Sequence, residues 1–173
     1  MQKEALGKWR NIIFSPEEAS KIREIVGEKR IVFCTGCYDI LQSGHSIFFE
    51  QCKQNGDVVV VGLGQDTTIT TLKGKERPVN NQMNRAYLLA SLKDVDFVIF
   101  NNLEIGDGKI DFDGVIRELK PSVFILNDDD SGLTTKQKLC EELNIKLVLV
   151  KREVPEFLEP TSTSEIIEKI RST

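Results

Sequence analysis

Five short runs of apolar and β-branched residues recur along the chain, and longer segments with helical spacing separate them. The five runs are residues 31–34, 58–62, 95–100, 123–126 and 146–150. Apolar runs of this length, with no regular polar alternation, are typical of strands that are buried on both faces of a parallel sheet. The pattern therefore predicts five parallel strands.

Helical spacing of apolar residues fills the intervening segments. Before the first strand, Ser15 and Pro16 provide a helix start, and Gly27 provides a helix end. The further candidate helices are residues 45–54, 85–92, 112–119, 136–143 and 164–170. This alternation predicts an α/β fold: a Rossmann-like, doubly wound parallel sheet of five strands with helices on both faces.

The chain shows no internal repeat, low-complexity tract or linker. Its 173 residues match the length of one ordinary domain. We therefore expect a single domain over residues 1–173, in which residues 1–29 form a helical lead-in.

Composition narrows the class of protein. The chain is 40% hydrophobic and 29% charged, as globular proteins are, and its net charge is -4. An acidic chain lacks the basic surface of a general nucleic-acid binder, so no nucleic-acid partner is expected. No apolar run approaches the roughly 20 residues of a membrane helix, and residues 1–10 lack the apolar stretch of a signal peptide. We expect no membrane partner and a cytoplasmic location.

The four cysteines are Cys34, Cys37, Cys52 and Cys140. In a chain without an export signal they are expected to be reduced thiols. Cys34 and Cys37 form a lone C-x-x-C pair, which redox centres and zinc sites can also contain. A zinc site would need a second pair at similar spacing, which Cys52 and Cys140 do not supply. We favour packing at a strand end, and a redox role stays open.

Doubly wound folds bind their ligands beyond the carboxyl ends of the strands, near the point where the strand order reverses. The segments that follow the predicted strands are residues 35–45, 63–81, 101–111, 127–135 and 151–163. They hold most of the unusual polar residues of the chain. The functional site is therefore expected among them.

The first of these segments ends in the single histidine of the chain, His45. Gly36 and Gly44 allow a tight turn or a close approach to a ligand. The following helix would place His45 in its first turn, where free N–H groups and the helix dipole favour anions. Two interpretations stay open: His45 donates a hydrogen bond to a phosphate, or it caps its own helix.

Three cations, Lys73, Lys75 and Arg77, lie within five positions of one another in the segment 65–80. In an acidic chain, such a cluster on a strand-end loop predicts a phosphate-binding lid. The alternative is a solvated loop without a ligand, since runs of charge usually face water.

Hydroxyl groups precede the last predicted helix. They can cap that helix and, together with its free N–H groups, bind an anion. Capping explains one hydroxyl well and four less well. The four residues are Thr161, Ser162, Thr163 and Ser164.

Three carboxylates, Asp128, Asp129 and Asp130, follow the fourth predicted strand. They could hold a hydrated Mg²⁺ or contact a ribose. A turn at a strand end also favours Asn and Asp. We favour the turn, with one carboxylate left as a candidate for binding.

These motifs resemble those of a known family. Gly36-Cys37-Tyr38-Asp39-Ile40-Leu41, followed by Ser43-Gly44-His45, is similar to the G-C-F-D-L-L-H-x-G-H signature of cytidylyltransferase-like nucleotidyltransferases. Leu72-Lys73-Gly74, Arg77-Pro78-Val79-Asn80 and Arg85 resemble the L-K-G…R-P-V-N…D-R stretch of heptose-1-phosphate adenylyltransferases. Residues 161–164 resemble the I-S-T-T motif that closes the nucleotide site. The likeness to this group, which includes the glycerol-3-phosphate cytidylyltransferases, covers nearly the whole chain.

The resemblance implies an enzyme that transfers a nucleotidyl group from an NTP (ATP or CTP) to a phosphorylated sugar or polyol and releases pyrophosphate. Mg²⁺ would accompany the NTP, and no protein side chain is assigned as a metal ligand. The acceptor phosphate would attack the α-phosphorus in line, so catalysis would consist of positioning and charge neutralisation. We also expect a homodimer.

The resemblance further implies roles for individual residues. The catalytic contacts to the phosphates would come from His45, Lys73 and Gln42. The substrate or its phosphate would be bound by Asp39, Lys75, Arg77 and Arg85. The nucleotide would be bound by Gly36, Cys37, Tyr38, Gly44, His45, Asp129, Arg152, Thr161, Ser162, Thr163 and Ser164.

Departures from the family pattern leave two functions open. Gln42 replaces the first histidine of the motif, and glutamine lacks the imidazolium charge that strengthens a hydrogen bond to phosphate. Residues 126–130 lack the lysine and both glycines of the family's K-G-G-D-Y and keep only Asp129. We favour an active enzyme, because His45, Lys73 and the hydroxyls persist. The alternative is a nucleotide-binding relative without turnover that acts as a regulatory or partner subunit.

Overall fold

The structure is a computed structural model that describes residues 11–102 and 110–173. Its strands are β1 (Ile12–Ile13), β2 (Ile31–Gly36), β3 (Val58–Leu63), β4 (Phe97–Phe100), β5 (Val123–Asn127) and β6 (Lys146–Val150). They form one sheet with the order β1-β4-β3-β2-β5-β6, and every neighbouring pair is parallel. The predicted α/β class with a parallel sheet is confirmed.

The predicted number of strands is wrong, because the sheet has six strands and not five. The additional strand is β1, which pairs through Ile12 with Val98 of β4 at the edge of the sheet. A strand of two residues carries no periodicity, so the sequence pattern could not separate it from the predicted helical lead-in. The five predicted strands are all present.

Helices cover both faces of the sheet. They are α1 (Ala19–Val26), α2 (Ser43–Gln54), α3 (Asp66–Lys73), α4 (Gln82–Ala90), α5 (Asp113–Leu119), α6 (Leu133–Leu143) and α7 (Thr163–Arg171), with a 3-10 turn at Pro16–Glu18. Buried apolar residues of α1, α5 and α6 pack on one face, and those of α2 and α4 pack on the other. The doubly wound arrangement follows from these two separate cores.

One predicted loop contains a helix. The segment 65–80, interpreted from the sequence as a strand-end loop with three cations, begins with α3. Four threonines dominate this helix, and β-branched residues have a low helix propensity. Lys73 is consequently the last residue of a helix, and only the residues after Gly74 form a loop.

The core anchors the strand that leads into the site. Phe33 of β2 is fully buried, and its ring centroid lies 5.8 Å from that of Phe112 and 5.4 Å from that of Phe124. Burying a phenylalanine side chain contributes about 1.5–3 kcal/mol. The cluster therefore stabilises the pairing of β2 with β5 below the segments that follow these strands.

The strand order reverses between β2 and β5, because β3 and β4 extend the sheet on one side of β2 while β5 and β6 extend it on the other. In a doubly wound sheet this switch point opens a crevice at the carboxyl ends of the strands. In residues 11–102 and 110–173, no helix is long and apolar enough to cross a membrane.

Candidate active site

A cleft with a volume of about 660 Å³ lies at the switch point. Residues that follow β2, β5 and β6 line it, together with the first residues of α2 and α7. The cleft brings together most of the predicted site residues from distant parts of the sequence. Those that line it are Gly36, Cys37, Tyr38, Asp39, Gln42, Gly44, His45, Lys73, Arg77, Asp129, Arg152, Thr161, Ser162, Thr163 and Ser164.

Tyr38 supports one wall of the cleft. Its backbone has a φ of 47°, a left-handed conformation that residues with side chains rarely adopt. Its ring packs edge-on against that of His45, with centroids 5.4 Å apart, and lies 5.2 Å from the ring of Phe49. A Cβ added to Gly36 would lie 2.9 Å from this ring, so a glycine is needed there. The left-handed turn lets the chain leave β2 while Tyr38 stays buried.

Gln42 and His45 form a reciprocal cap at the start of α2. The side chain of Gln42 accepts a hydrogen bond from the backbone N–H of Gly44. In return, the backbone N–H of Gln42 donates to Nδ1 of His45 over 3.2 Å. The sequence left open whether His45 caps its own helix or reaches a phosphate. The structure shows the cap, and the cap leaves Nε2 of His45 available to a ligand.

His45 is neutral at physiological pH. Burial, and then the charge of Arg152, lower the pKa of His45 to about 4. Because Nδ1 accepts a hydrogen bond, the hydrogen of the neutral ring lies on Nε2. His45 therefore presents a neutral N–H donor at the N-terminus of α2, where the helix dipole favours an anion.

Asp39 holds Arg77 in place. The carboxylate of Asp39 is buried and accepts hydrogen bonds from Nε of Arg77 at 2.6 Å and from the backbone N–H groups of Val79 and Asn80 at 2.9 and 2.8 Å. Burial raises the pKa of Asp39, but these hydrogen bonds outweigh it and leave the pKa below its ordinary value. Arg77 lines the cleft with its terminal nitrogens unpaired within the described residues. Asp39 thus orients a cation, a role that the prediction of substrate contact did not include.

The two lysines near Arg77 occupy different places. Lys73 lines the cleft at the end of α3 and makes no ion pair with the described residues. Lys75 is exposed in the following turn and does not line the cleft. The predicted three-cation lid thus brings two cations, Lys73 and Arg77, to the site.

Arg85 lies outside the cleft and is fully buried. Its guanidinium donates to the carbonyl oxygens of Asn80, Cys37 and Gly64 at 3.0, 2.6 and 2.9 Å and pairs with Asp66 at 2.7 Å. These acceptors occupy the side chain that the sequence assigned to a phosphate. In this structure Arg85 holds together the segments that follow β2, β3 and α3.

In the part of the cleft lined by the residues that follow β5 and β6, carboxylates pair with the cations. Nε of Arg152 pairs with Oδ1 of Asp129 at 2.9 Å, so two predicted nucleotide-binding residues bind each other. Asp130 accepts hydrogen bonds from Nζ of Lys136 at 2.8 Å and from the backbone N–H of Gly132 at 2.9 Å. Asp130 therefore stabilises the turn after β5, as the turn interpretation of the three carboxylates expected.

The hydroxyl residues at α7 divide into capping and connecting groups. Ser162 caps α7: its hydroxyl accepts from the backbone N–H of Glu165, and its own N–H donates to the Glu165 carboxylate at 2.6 Å. The hydroxyl of Thr163 donates to the carbonyl oxygen of Ile40 at 3.1 Å and joins α7 to the segment after β2. Thr161 and Ser164 line the cleft.

The sequence interpretation missed Glu165, although the S-x-x-E spacing of a capping box is a recognisable signal for it. It also missed Lys151, which lines the cleft beside Arg152.

In the described residues the cleft carries five carboxylates and four basic side chains, so its lining is not predominantly basic. They are Asp39, Asp129, Asp130, Glu153 and Glu165, and Lys73, Arg77, Lys151 and Arg152.

The four cysteines are free thiols. Cys34 and Cys52 are buried, and the hydroxyl of Tyr38 lies 3.8 Å from Sγ of Cys34. Burial raises the pKa of Cys37, Cys52 and Cys140, which makes a thiol less reactive. Within the described residues no group of three His, Cys, Asp or Glu side chains is arranged to hold a metal ion.

Comparison with known proteins identifies relatives of this chain. Residues 33–169 match the Cytidylyltransferase-like family. The Bifunctional protein HldE of a Nitratiruptor species is 37% identical over 144 residues, which are 83% of this chain and 28% of that protein. The Bifunctional protein HldE of Campylobacter curvus (strain 525.92) is 32% identical over 99% of this chain and 34% of its own length. The chain thus spans about a third of these relatives or less.

A solved structure agrees with the fold. The lipopolysaccharide core biosynthesis protein from Thermoplasma volcanium GSS1 superimposes with a TM-score of 0.60 and is 26% identical, covering 74% of this chain and 99% of that one. The family match extends from β2 to α7 and includes every element that lines the cleft. The chain therefore belongs to the Cytidylyltransferase-like family.

Proposed function

We propose that this chain transfers a nucleotidyl group from ATP or CTP to a phosphorylated sugar or polyol and releases pyrophosphate. The observation that carries the proposal is the meeting of two helix N-termini in one cleft at the switch point. His45 lies at the start of α2, and the hydroxyl residues lie at the start of α7. Helix N-termini with free N–H groups favour the phosphates of a nucleotide.

The proposed reaction needs no covalent intermediate on the protein. An oxygen of the acceptor phosphate attacks the α-phosphorus, and the bond from the α-phosphorus to the bridging oxygen of the β-phosphate breaks. Pyrophosphate leaves with the electron pair of that bond. Nε2–H of His45 would donate to the phosphates, and Lys73 and Arg77 would neutralise the charge that develops on them.

Neutral donors carry much of the expected phosphate binding. His45 is uncharged at physiological pH, and Gln42 can offer its amide nitrogen while its oxygen caps α2. Arg77 and Arg152 are each paired with a carboxylate of the protein. Both arginines use Nε in these pairs, so each keeps its terminal nitrogens for the ligand within the described residues.

Mg²⁺ is proposed to enter with the NTP. In the described part of the chain, Asp129 is paired with Arg152 and Asp130 with Lys136, and no cage of three ligands is formed. These residues fit a metal that the triphosphate itself chelates, with water completing its shell. When bound, Mg²⁺ would neutralise phosphate charge in a cleft whose own carboxylates and cations nearly balance.

A nucleotide-binding subunit without turnover is the second candidate function. Gln42 favours it, because the family motif has a histidine at this position and the glutamine oxygen is used to cap α2. The paired cations also favour it, since part of the electrostatic pull on a triphosphate is neutralised within the protein. The homodimer and the cytoplasmic location stay predictions.

The proposal is tested by pyrophosphate release with ATP, CTP, GTP and UTP, each combined with a panel of sugar and polyol phosphates. The family resemblance makes ATP with a sugar 1-phosphate the first pair to measure. Pyrophosphate release that requires both an NTP and an acceptor would support the proposed enzymatic activity. Tight nucleotide binding without release from any pair would instead support the second candidate.

A further inference from the structure

The edge strand β6 is less covered than its sequence predicts. Residues 147–150 are all apolar, a pattern typical of a strand that is buried on both faces. None of the five residues of β6 is buried, and the side chain of Leu149 is 46% exposed. Within the described part of the chain β6 pairs with β5 alone, so the backbone N–H and C=O groups of its other edge have no strand beside them. β6 therefore offers both an apolar surface and a hydrogen-bonding edge.

A groove with a volume of about 480 Å³ lies between β6 and α6, separate from the cleft of the candidate active site. The carboxylate of Glu141, which lines the groove, accepts a hydrogen bond from the amide of Gln137 at 3.2 Å, so these two polar groups bond each other. The groove is thus suited to an apolar side chain. Its apolar lining consists of Cys140, Ile145, Leu147 and Leu149.

An exposed aromatic side chain follows β6. Phe157 is 85% exposed and lies in a turn in which the backbone N–H of Leu158 donates to the carbonyl oxygen of Pro155 at 2.9 Å. Val154 and Pro160, on either side of this turn, line the cleft, whereas the turn itself does not. Phe157 therefore joins neither the core nor the cleft, and it forgoes the roughly 1.5–3 kcal/mol that burial of its side chain would contribute.

The charges near the two ends of β6 are opposite in sign. Near its start, Lys138 of α6 and Lys146 are exposed, and neither forms an ion pair with a described residue. Beyond its end, Glu156 and Glu159 are exposed and likewise form no ion pair within the described ranges. An antiparallel orientation of two such strands places the cations of one beside the carboxylates of the other.

We propose that β6 pairs with β6 of a second copy of this chain across a two-fold axis, and that Phe157 of each copy enters the groove of the other. Antiparallel pairing places the end of one strand beside the start of the other. Phe157 follows the end of β6, and the groove includes Ile145, which directly precedes its start. One rotation thus joins the strand edges, the aromatic side chain with the groove, and the opposite charges. Because the contact is the same on both copies, it closes with two.

A second copy fits this surface better than a peptide from another protein. A peptide could also add a strand to the free edge of β6. It would leave Phe157 exposed, whereas a second copy brings a groove for Phe157 and supplies a Phe157 for the groove. The surface also adjoins the cleft, because Lys151 and Arg152 directly follow β6 and line it. Pairing of β6 would therefore hold this wall of the cleft as well.

The first test compares Phe157→Glu with a matched control, Ile25→Glu, by analytical ultracentrifugation over a range of concentrations. Ile25 is also an exposed apolar residue, at 68%, but it lies on α1, which packs with α5 on one face of the sheet. The wild type should sediment as a dimer of twice the 19.6 kDa of one chain at micromolar concentrations. Phe157→Glu should raise the Kd of the dimer by about thirtyfold or more, and Ile25→Glu should leave it unchanged.

Both variants should keep the circular dichroism spectrum of the wild type, because both side chains are exposed. A wild type that stays monomeric at these concentrations would overturn the inference. A dimer that Phe157→Glu leaves intact would overturn it too, as would open assemblies larger than a dimer.

A crosslinking test locates the contact of Phe157. In a Phe157→p-benzoylphenylalanine variant, the photoreactive ring takes the place of the native one, and ¹⁵N-labelled and unlabelled chains are mixed before irradiation. Mass spectrometry should find crosslinks between labelled and unlabelled chains that end in residues 137–149, which contain the groove. Crosslinks within single chains alone, or crosslinks to another segment of the second copy, would contradict the proposed arrangement.

Discussion

The backbone N–H of Gln42 donates a hydrogen bond to Nδ1 of His45 over 3.2 Å. This contact ties the position that departs from the family motif to the only histidine of the chain. It places the hydrogen of the neutral imidazole on Nε2. Gln42 therefore acts on His45 through its backbone, whatever its side chain does for the phosphates.

The protonation state of His45 can be measured by NMR without residue assignment, because the chain has no other histidine whose imidazole would give a signal. We expect ¹⁵N NMR of the ligand-free protein to show a neutral ring protonated at Nε2, with a pKa of about 4. Adding a nucleotide should raise this pKa, since phosphates favour the charged form. A pKa near the ordinary 6.5 in the free protein would contradict this environment.

The lowered pKa of His45 also makes stability depend on pH. Below about pH 6.5 the unfolded chain binds a proton at this residue, and the folded protein binds it only near pH 4. The stability contributed by neutral His45 is thus present above pH 6.5 and lost as the pH falls to about 4. Urea unfolding of wild type and His45→Gln at about pH 7 and about pH 5 measures this loss, which should be smaller in the variant. Equal losses would assign it to other groups.

Gln42→His should raise the rate with substrates that the enzyme already accepts. A histidine at this position restores the charge-assisted hydrogen bond of the family motif, and we expect a gain of about tenfold in kcat. Gln42→Ala is the matched loss-of-function variant. It removes the side-chain cap of α2, which lowers the stability of the protein by about 1 kcal/mol, and it also removes the amide donor. A slower Gln42→His variant with an unchanged Tm would show that the site is built around glutamine.

Asp39 and Arg77 form a pair whose members should not be equivalent. Arg77→Met leaves the buried carboxylate of Asp39 without its cation, which we expect to cost about 3–5 kcal/mol of stability. The double variant Asp39→Asn with Arg77→Met should recover part of this loss, and neither protein should bind phosphates normally. Chemical unfolding of the four proteins of this cycle measures the coupling. Additive effects would show that the pair contributes no coupling energy.

Substitution of Arg85 distinguishes a structural role of this residue from a role in ligand binding. A lysine can satisfy few of the four acceptors that Arg85 reaches, so Arg85→Lys should lose about 3 kcal/mol, which corresponds to a fall in Tm of roughly 6–12 °C. Below that Tm, nucleotide affinity should stay within about threefold of the wild type. A stable variant with greatly weakened binding would restore the phosphate-binding role predicted from the sequence.

The sequence predicted the elements and residue types of the site better than the partners of its charges. Strand periodicity and the spacing of Gly36, Gly44 and His45 are local properties, and the structure places all three residues in the cleft. The difference between Arg77 and Arg85 is not local. Arg85 meets the carbonyl oxygens of Cys37 and Gly64 because two loops converge on it in the folded sheet, and no spacing in the sequence encodes this convergence.

The ion-pair partners of the acidic residues could not be predicted from the sequence for the same reason. The sequence shows that Asp39 and Asp129 are acidic, but their cations lie 38 and 23 positions away. The edge strand β1 was not predicted, because a strand of two residues shows no hydrophobic periodicity.

The central claim is transfer of the α-phosphoryl part of the nucleotide, and labelled NTP tests it most directly. With the label in the α-phosphate, the wild type should place it in a product that joins the nucleotide to the acceptor phosphate. With the label in the γ-phosphate, it should appear in pyrophosphate, and His45→Ala should abolish both transfers. Retention of both labels in intact, tightly bound NTP, or movement of the γ-label to the acceptor, would contradict nucleotidyl transfer.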